Sequence, residues 1–142
     1  MRGRSAEKCL GWMIVLCTAG FFVFGLNAVG GETPPAPEMP AHWQVVSDFQ
    51  VPAAQVTSIS HKLGVDLTSV RNTVYSVNGK RVQINVIVTL NSESAEKLMK
   101  TLSSMKVKEA LLRKGRTVYE FVGQNDVLPL IKEGRDYLAS ME

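Results

Sequence analysis

The residue types that most often carry catalysis or bind metals are scarce in this chain, and their spacing favours neither task. His42 and His61 lie far apart in the sequence, so a metal site would need both histidines and a carboxylate brought together by the fold. Ser60 and His61 are neighbours and cannot face each other on a helix as nucleophile and base. A glycine-rich phosphate loop is absent. We therefore predict no catalytic residues, no bound metal and no cofactor.

Both cysteines lie in an uncharged stretch near the N-terminus. Residues 9–31 carry no charge, basic residues precede them, and the first charged residue after them is Glu32. This order is typical of a secretory signal, but the stretch is also close to the ~20 residues that span a bilayer. In both cases the positive-inside rule places the C-terminal part outside the cytoplasm. That part contains no cysteine, which excludes disulfides and cysteine metal sites there.

The chain accordingly divides into three parts. We predict a signal peptide or signal anchor over residues 1–30, a proline-rich spacer over 31–41 and one extracytoplasmic α+β domain over 42–142. The protein is then secreted or periplasmic if it is cleaved near Gly30, and anchored by residues 9–29 if it is not. The prolines of the spacer favour polyproline II, which would extend roughly 30 Å at ~3.1 Å per residue.

Turn and cap residues predict the elements of the domain. Pro52 and Gly64 mark the start and the end of a short amphipathic helix. Asn91 or Ser92 caps a second helix that ends near Met105. The alternation of side chains and the cap at Asn125 predict a strand over Trp43–Phe49, with Trp43, Val45 and Phe49 on one face, a strand over Arg116–Gly123 and a last helix over 126–140. Residues 106–114 fit either a continued helix or a short strand.

The clearest local signal is Asn78-Gly79, which stands between two β-rich runs. Asn-Gly favours a two-residue type I′ turn because both residues accept positive φ. In the register that this turn imposes, Val77 faces Lys80, one face of the hairpin is apolar and the other is mostly polar. The apolar face carries Tyr75, Val77, Val82, Ile84, Val86, Val88 and Leu90, with a bulge or a frayed end expected at Arg71.

These elements follow the order β-α-β-β-α-β with a further C-terminal helix. The order predicts an α+β fold of the ferredoxin-like, split βαβ type, in which two helices cover one face of an antiparallel sheet. The polar face of the hairpin would then be open, or covered in part by the extra C-terminal helix. This architecture serves many functions and indicates none of them by itself.

Five basic residues lie within one short stretch, called here the basic segment. We expect either a solvated turn or a surface that contacts an anionic membrane, an envelope polymer or an acidic protein partner. Nucleic acid is disfavoured because the protein is predicted to be exported and the open sheet face lacks aromatic residues on which bases could stack. The basic segment consists of Lys106, Lys108, Arg113, Lys114 and Arg116.

The polar sheet face is the second candidate surface. It is expected either to be solvated or to serve as a platform for a small ligand, through Asn72, Arg81, Gln83, Asn85 and Thr89. The leading hypothesis is a non-catalytic exported module that acts by binding or assembly, through protein or envelope contacts. The alternatives are a small-ligand-sensing domain that uses the polar face and a protease-inhibitor or propeptide-like domain, for which no particular residue argues.

Overall fold

A computed structural model describes residues 34–141 of the chain, so the predicted signal or anchor lies outside the described residues. The elements of the described part are β1 (Gln44–Gln50), α1 (Ala53–Leu63), β2 (Leu67–Val77), β3 (Lys80–Thr89), α2 (Ser92–Ser103), β4 (Leu111–Lys114), β5 (Thr117–Val122) and α3 (Leu128–Ser140). Short 3₁₀ turns precede β4 and α3. In residues 34–141, no helix has the length and apolar character needed to cross a membrane.

The hairpin between β2 and β3 forms in the predicted register. The φ angles of Asn78 and Gly79 are 52° and 77°, the pair of positive angles that a type I′ turn requires. Val77 pairs with Lys80, and the antiparallel ladder continues from there along both strands. The register shift in β2 lies near the start of the strand and not at Arg71, where the sequence predicts a bulge.

Cap residues delimit α1 and α2 as the sequence predicts. α1 ends at Gly64, whose φ of 63° lies in the left-handed region that favours glycine. α2 begins after Asn91, whose side-chain oxygen accepts a hydrogen bond from the backbone N–H of Ser94 at 2.8 Å. This helix ends at Ser103, slightly before the predicted end. The undecided residues 106–114 form a 3₁₀ turn followed by β4.

The described sheet has five antiparallel strands in the order β1-β2-β3-β5-β4. The α+β class is therefore confirmed, but the ferredoxin-like strand order is not. A split βαβ unit places the two helix-linked strands parallel, with another strand between them, whereas β1 and β2 are antiparallel neighbours linked by α1. The sequence also leaves β4 undecided, and this strand pairs with β5 across a tight turn at Gly115, whose φ is 61°.

Different helices cover the two faces of the sheet. α1 and α2 pack on the predicted polar face, called here the α1/α2 face, where Val70, Ile87 and Val118 form an apolar patch with α2 residues such as Leu98. α3 packs on the apolar face, called here the α3 face. The expectation of an open polar face is thus wrong over this patch, because α1 and α2 bury its three apolar strand residues and so remove their apolar surface from water. The hairpin end of the α1/α2 face stays uncovered.

A bulge in β1 places Trp43, the residue just before the strand, and Phe49 on opposite faces of the sheet. The register of β1 against β2 shifts between Val45 and Ser47, and one extra residue reverses the alternation of side chains beyond it. Trp43 consequently belongs to the core under α3, whereas Phe49 packs against the core under α1 and α2. The sequence prediction that these two residues share a face is wrong for this reason.

Residues 34–40, called here the proline strap, lie against the α3 face. Arg71 Nη1 donates a hydrogen bond to the backbone oxygen of Pro34 at 2.7 Å, and the hydroxyl of Tyr75 donates to that of Pro37 at 2.6 Å. Met39 packs against the core formed under α3. This part of the predicted spacer therefore packs on the domain and does not extend away from it.

Candidate binding groove

The structure separates the cations of the basic segment instead of presenting them together. Lys114 Nζ donates to the backbone oxygen of Leu138 at 2.9 Å and to that of Met141, so it binds the C-terminal end of α3, where cations are favoured by the helix dipole. Lys106 turns inward, and its side chain is buried. Two of the five predicted surface cations thus serve the fold.

The other three cations of the segment are spread over the surface. Arg113 precedes Lys114 in β4 and points to the opposite face of the sheet, where it donates to the backbone oxygens of Gly115 and Ser92 at 2.9 and 3.2 Å. Lys108 lies in the 3₁₀ turn before β4, and Arg116 lies in the turn after it; both are exposed. The segment therefore offers a weaker and more dispersed positive field than its spacing in the sequence indicates.

A row of polar side chains crosses three strands on the α1/α2 face. Asn72, Asn85 and Glu120 are register partners on β2, β3 and β5, and all three are buried. Asn85 Nδ2 donates to Glu120 Oε2 at 2.8 Å, and Gln83 Nε2 donates to Asn85 Oδ1 at 2.7 Å. The amide of Asn72, which is 6% exposed, has no hydrogen-bond partner in the described part of the chain.

Lys106 completes this row from above the sheet. Its Nζ lies 3.0 Å from Glu120 Oε1, and the two side chains are 5% and 0% exposed. Two opposite charges held this deeply stabilise each other because water, which would otherwise solvate them, is excluded. The surrounding side chains therefore shield this pair from solvent.

Thr89, the fifth residue of the predicted polar face, is also buried. Its hydroxyl lies within hydrogen-bond distance of the backbone oxygens of Asn91 and Arg116, at 2.8 and 2.7 Å. It joins the end of β3 to the β4–β5 turn. Of the five predicted residues, only Arg81 and Gln83 line a space that solvent enters.

That space is a groove of about 620 Å³ at the hairpin end of the sheet. Its three strand residues in one register row are Val74, Gln83 and Val122, one row from the buried polar residues. No residue of α1 or α2 lines it. The groove is lined by Val74, Gly79, Lys80, Arg81, Gln83, Val122, Gly123, Gln124, Asp126 and Val127.

The charges of the groove are arranged unevenly. Lys80 Nζ lies 3.4 Å from Asp126 Oδ2 and donates to the backbone oxygen of the same residue at 3.3 Å. Arg81 is exposed, and its guanidinium has no hydrogen-bond or ion-pair partner among residues 34–141. The groove therefore contains a paired cation and an available one, beside the apolar surface of Val74 and Val122.

The α3 face carries its own cluster of charged and polar groups. The guanidinium of Arg71 donates two hydrogen bonds to the carboxylate of Asp48, and this holds the pKa of Asp48 below its usual value. Thr73 donates to the same carboxylate at 3.0 Å. Burial, reinforced by the negative charge of Asp48, raises the pKa of Tyr75 to about 12. The Tyr75 hydroxyl thus remains a proton donor at neutral pH.

Neither the charged groups of the groove nor the Asp48–Arg71 cluster forms a metal centre. Within the described residues, no group of three or more histidine, cysteine, aspartate or glutamate side chains is placed to hold a metal ion. Structural and catalytic metal sites require several such side chains at close and defined distances from the ion. The arrangement is suited to binding through hydrogen bonds, one free cation and apolar contact.

Sequence reasoning missed Glu120, which organises the buried polar row. A signal for it is present: Glu120 stands between Val118 and Val122 on alternate positions of one strand face, so a charged side chain falls on a face otherwise apolar at that strand. Charged residues are almost never fully buried unless they are paired. The identity of its partner, Lys106, could not be predicted from nearby residues, because the loop after α2 brings Lys106 to Glu120.

Comparison of the chain with protein-family models, with curated proteins and with solved structures finds no match in any of the three.

Proposed function

We propose that this chain is a non-catalytic exported binding module that holds an acidic group of its partner in the groove at the hairpin end of the sheet. The observation that carries the proposal is the Arg81 guanidinium, which lines the groove and has no partner among residues 34–141. A guanidinium binds a carboxylate or phosphate through two parallel hydrogen bonds. Arg81 is thus the group in the groove best suited to an anion.

The rest of the groove supports the same reading. Ligand sites of ~300–1,000 Å³ commonly combine apolar walls with a few polar groups that orient the bound molecule, and this groove has a volume of about 620 Å³. Val74 and Val122 supply the apolar part, and Gln83 lies between them on the sheet. The size fits a small anionic ligand or one acidic side chain of a protein partner.

The non-catalytic part of the proposal rests on the buried polar row. The most deeply buried acid and base on this face, Glu120 and Lys106, contact each other and are shielded from solvent. General acid–base catalysis needs groups within hydrogen-bond reach of a substrate. Neither residue lines the groove, and the acid that does, Asp126, is paired with Lys80, which supports binding without chemistry.

A titration with a defined anion tests the groove. We expect N-acetylglutamate, added to the isotope-labelled full chain in detergent micelles, to shift the backbone amide signals of Gly79 and Gly123, while its neutral analogue N-acetylglutamine shifts neither. Arg81→Gln should abolish the response, and Lys108→Gln, which removes an exposed cation outside the groove, should leave it unchanged. Equal shifts with both probes, or an unaltered response in Arg81→Gln, would contradict the proposal.

An anionic surface is the alternative partner, and a second titration distinguishes it. The full chain is mixed with phosphatidylglycerol vesicles at low and at high salt. If the groove makes the contact, Arg81→Glu should weaken binding to the vesicles more than the combined change of Lys108, Arg113 and Arg116 to glutamate does. The reverse ranking would assign the contact to the basic segment and overturn the role of the groove.

Export is the remaining part of the proposal, and it is supported by the basic residues before the uncharged stretch at residues 9–31. A reporter enzyme that is active only outside the cytoplasm, fused after Glu142, should be active. Substituting the three basic residues before the stretch with glutamate should reduce that activity. If this fusion is inactive, and a fusion to a second reporter that is active only in the cytoplasm is active instead, export is contradicted.

A further inference from the structure

The α3 face carries a second binding surface, separate from the groove, and the proline strap occupies it. The two exposed residues of the strap, Pro35 and Glu38, stand three positions apart, and its other five residues are partly buried. A polyproline II helix has three residues per turn. The strap therefore shows the periodicity of that helix, with one edge outward and the rest against the sheet.

The hydrogen bonds of the strap follow the same period. The carbonyls of Pro34 and Pro37 stand three residues apart and point to the same side, where Arg71 and Tyr75 donate to them at 2.7 and 2.6 Å. A polyproline II helix makes no internal hydrogen bonds, so its carbonyls stay free to accept from a receptor. The sheet supplies donors at the spacing that such a helix presents.

The receptor strip is aromatic as well as polar. The rings of Trp43 and Tyr75 meet edge to face, with centroids 5.7 Å apart, and Met39 of the strap packs against the core that contains both. Space for Trp43 exists because α3 has a glycine above it: a Cβ at Gly134 would lie 2.6 Å from the Trp43 ring. Aromatic-lined grooves with hydrogen-bond donors are how proteins recognise proline-rich segments.

We propose that this strip is a binding site for a proline-rich segment in polyproline II conformation, filled here by the chain's own strap and able to accept the strap of a second copy of the chain. The complementarity between strip and strap is already present in one molecule. The strap joins the domain through the exposed turn at Ala41 and His42. Opening that connection is enough to exchange identical straps between two copies, a low-cost route to association.

The first experiment uses a fluorescent peptide with the sequence of residues 32–41. A short tether gives the chain's own strap an effective concentration on the order of millimolar, so the strap is first weakened by Met39→Ser in the full chain. We expect the peptide to bind this variant. A peptide carrying Glu38→Gln, at an outward position, should bind equally well, and a peptide carrying Met39→Ser should bind at least tenfold more weakly.

The receptor side has a matched control. Tyr75→Phe, introduced beside Met39→Ser, should weaken peptide binding several-fold because the donor to the Pro37 carbonyl is lost, whereas Tyr137→Phe, on the exposed side of α3, should not. The proposal is overturned if the Met39→Ser chain unfolds cooperatively but does not bind the peptide. It is equally overturned if peptides changed at inward and outward positions bind alike.

A second measurement leaves Met39 intact, and so decides the matter if Met39→Ser prevents folding. Glu38→Cys is labelled with an environment-sensitive fluorophore in a full chain whose Cys9 and Cys17 are replaced by serine. Unlabelled peptide should displace the labelled strap with half effect at roughly millimolar concentration, and the peptide carrying Met39→Ser should not. The proposal is refuted if neither peptide changes the fluorescence of the label, or if both peptides change it equally.

Discussion

Two ion pairs on opposite faces of the sheet, Lys106 with Glu120 and Arg71 with Asp48, differ in how far water reaches them. On the α1/α2 face, Lys106 and Glu120 are almost completely shielded by the surrounding side chains. On the α3 face, the side chains of Asp48 and Arg71 keep 29% and 20% of their surface exposed. The charges are alike, so the difference in energetic effect must come from solvation.

That difference indicates separate roles. Removing one member of a buried pair leaves a charge that water cannot solvate, which is strongly destabilising even where the intact pair adds little net stability. Partly exposed pairs contribute little by themselves. The guanidinium of Arg71 also donates to the Pro34 carbonyl. Its pair with Asp48 therefore orients the guanidinium that holds the proline strap.

The largest effect is expected from Glu120→Ala. It leaves the Lys106 ammonium buried without its partner, and it also removes the acceptor of the Asn85 amide. We expect the free energy of unfolding, measured by urea denaturation, to fall by about 3–5 kcal/mol.

Two variants show whether the lost partner is the cause. The double change Lys106→Met with Glu120→Leu should recover most of the lost stability, because no buried charge remains. Glu109→Ala, at an exposed acid close to Lys106 in the sequence, should alter stability by less than about 0.5 kcal/mol. A double variant as unstable as Glu120→Ala would show that the pair is not what matters.

A smaller effect is expected at the hairpin turn, on which the assignment of residues to the two faces depends. A slip of one residue would move each side chain of the strand to the opposite face. Gly79→Val places a β-branched side chain at a φ of 77° and should destabilise by about 1–3 kcal/mol. Gly79→Asn should lower the stability less than Gly79→Val does, because asparagine tolerates positive φ. Melting temperatures unchanged in both variants would argue against the type I′ turn.

The smallest effect is expected at Asp48, and it depends on pH. The hydrogen bond from Arg71 lowers the pKa of Asp48 in the folded protein, so the folded state binds fewer protons than the unfolded chain, where the pKa is about 3.9. Asp48 therefore stabilises the fold above that value, and its contribution disappears as the pH falls through the lowered pKa.

The matching measurement compares unfolding of the unchanged chain and of Asp48→Asn across acidic and neutral pH. We expect a difference of up to about 1 kcal/mol at pH 7, which shrinks as the solution is acidified below about pH 4. Asp126→Asn, at the more exposed pair with Lys80, serves as the control and should show little difference at neutral pH. A gap between Asp48→Asn and the unchanged chain that grows on acidification would reverse the assigned sign.

The local features of the fold could be predicted because their signals lie within a few residues. Asn78-Gly79 sets the turn and the pairing of β2 with β3. Asn91 caps α2, and Gly64 ends α1. Each of these depends on backbone preferences and hydrogen bonds between near neighbours. The strand order and the choice of face for each helix depend on contacts between distant parts of the chain, and these were predicted only at the level of fold class.

The candidate site divides in the same way. Alternation in β3 predicted that Arg81, Gln83 and Asn85 share one face, as they do, because strand geometry alternates side chains whatever surrounds them. Only the packing of the helices decided which of them meet solvent: Arg81 and Gln83 line the groove, and Asn85 is buried. Charge spacing along the chain likewise grouped Lys106 with surface cations.

What the sequence by itself determined is therefore every described helix and strand except β4, the register of the hairpin and the side of the sheet on which the hairpin residues stand. The tertiary structure alone decided that Lys106 meets Glu120, that Lys114 binds the end of α3 and that the proline strap returns to Arg71. The physical reason is reach. A turn is specified by the dihedral preferences of adjacent residues, whereas a long flexible side chain takes the partner that the folded chain brings near it.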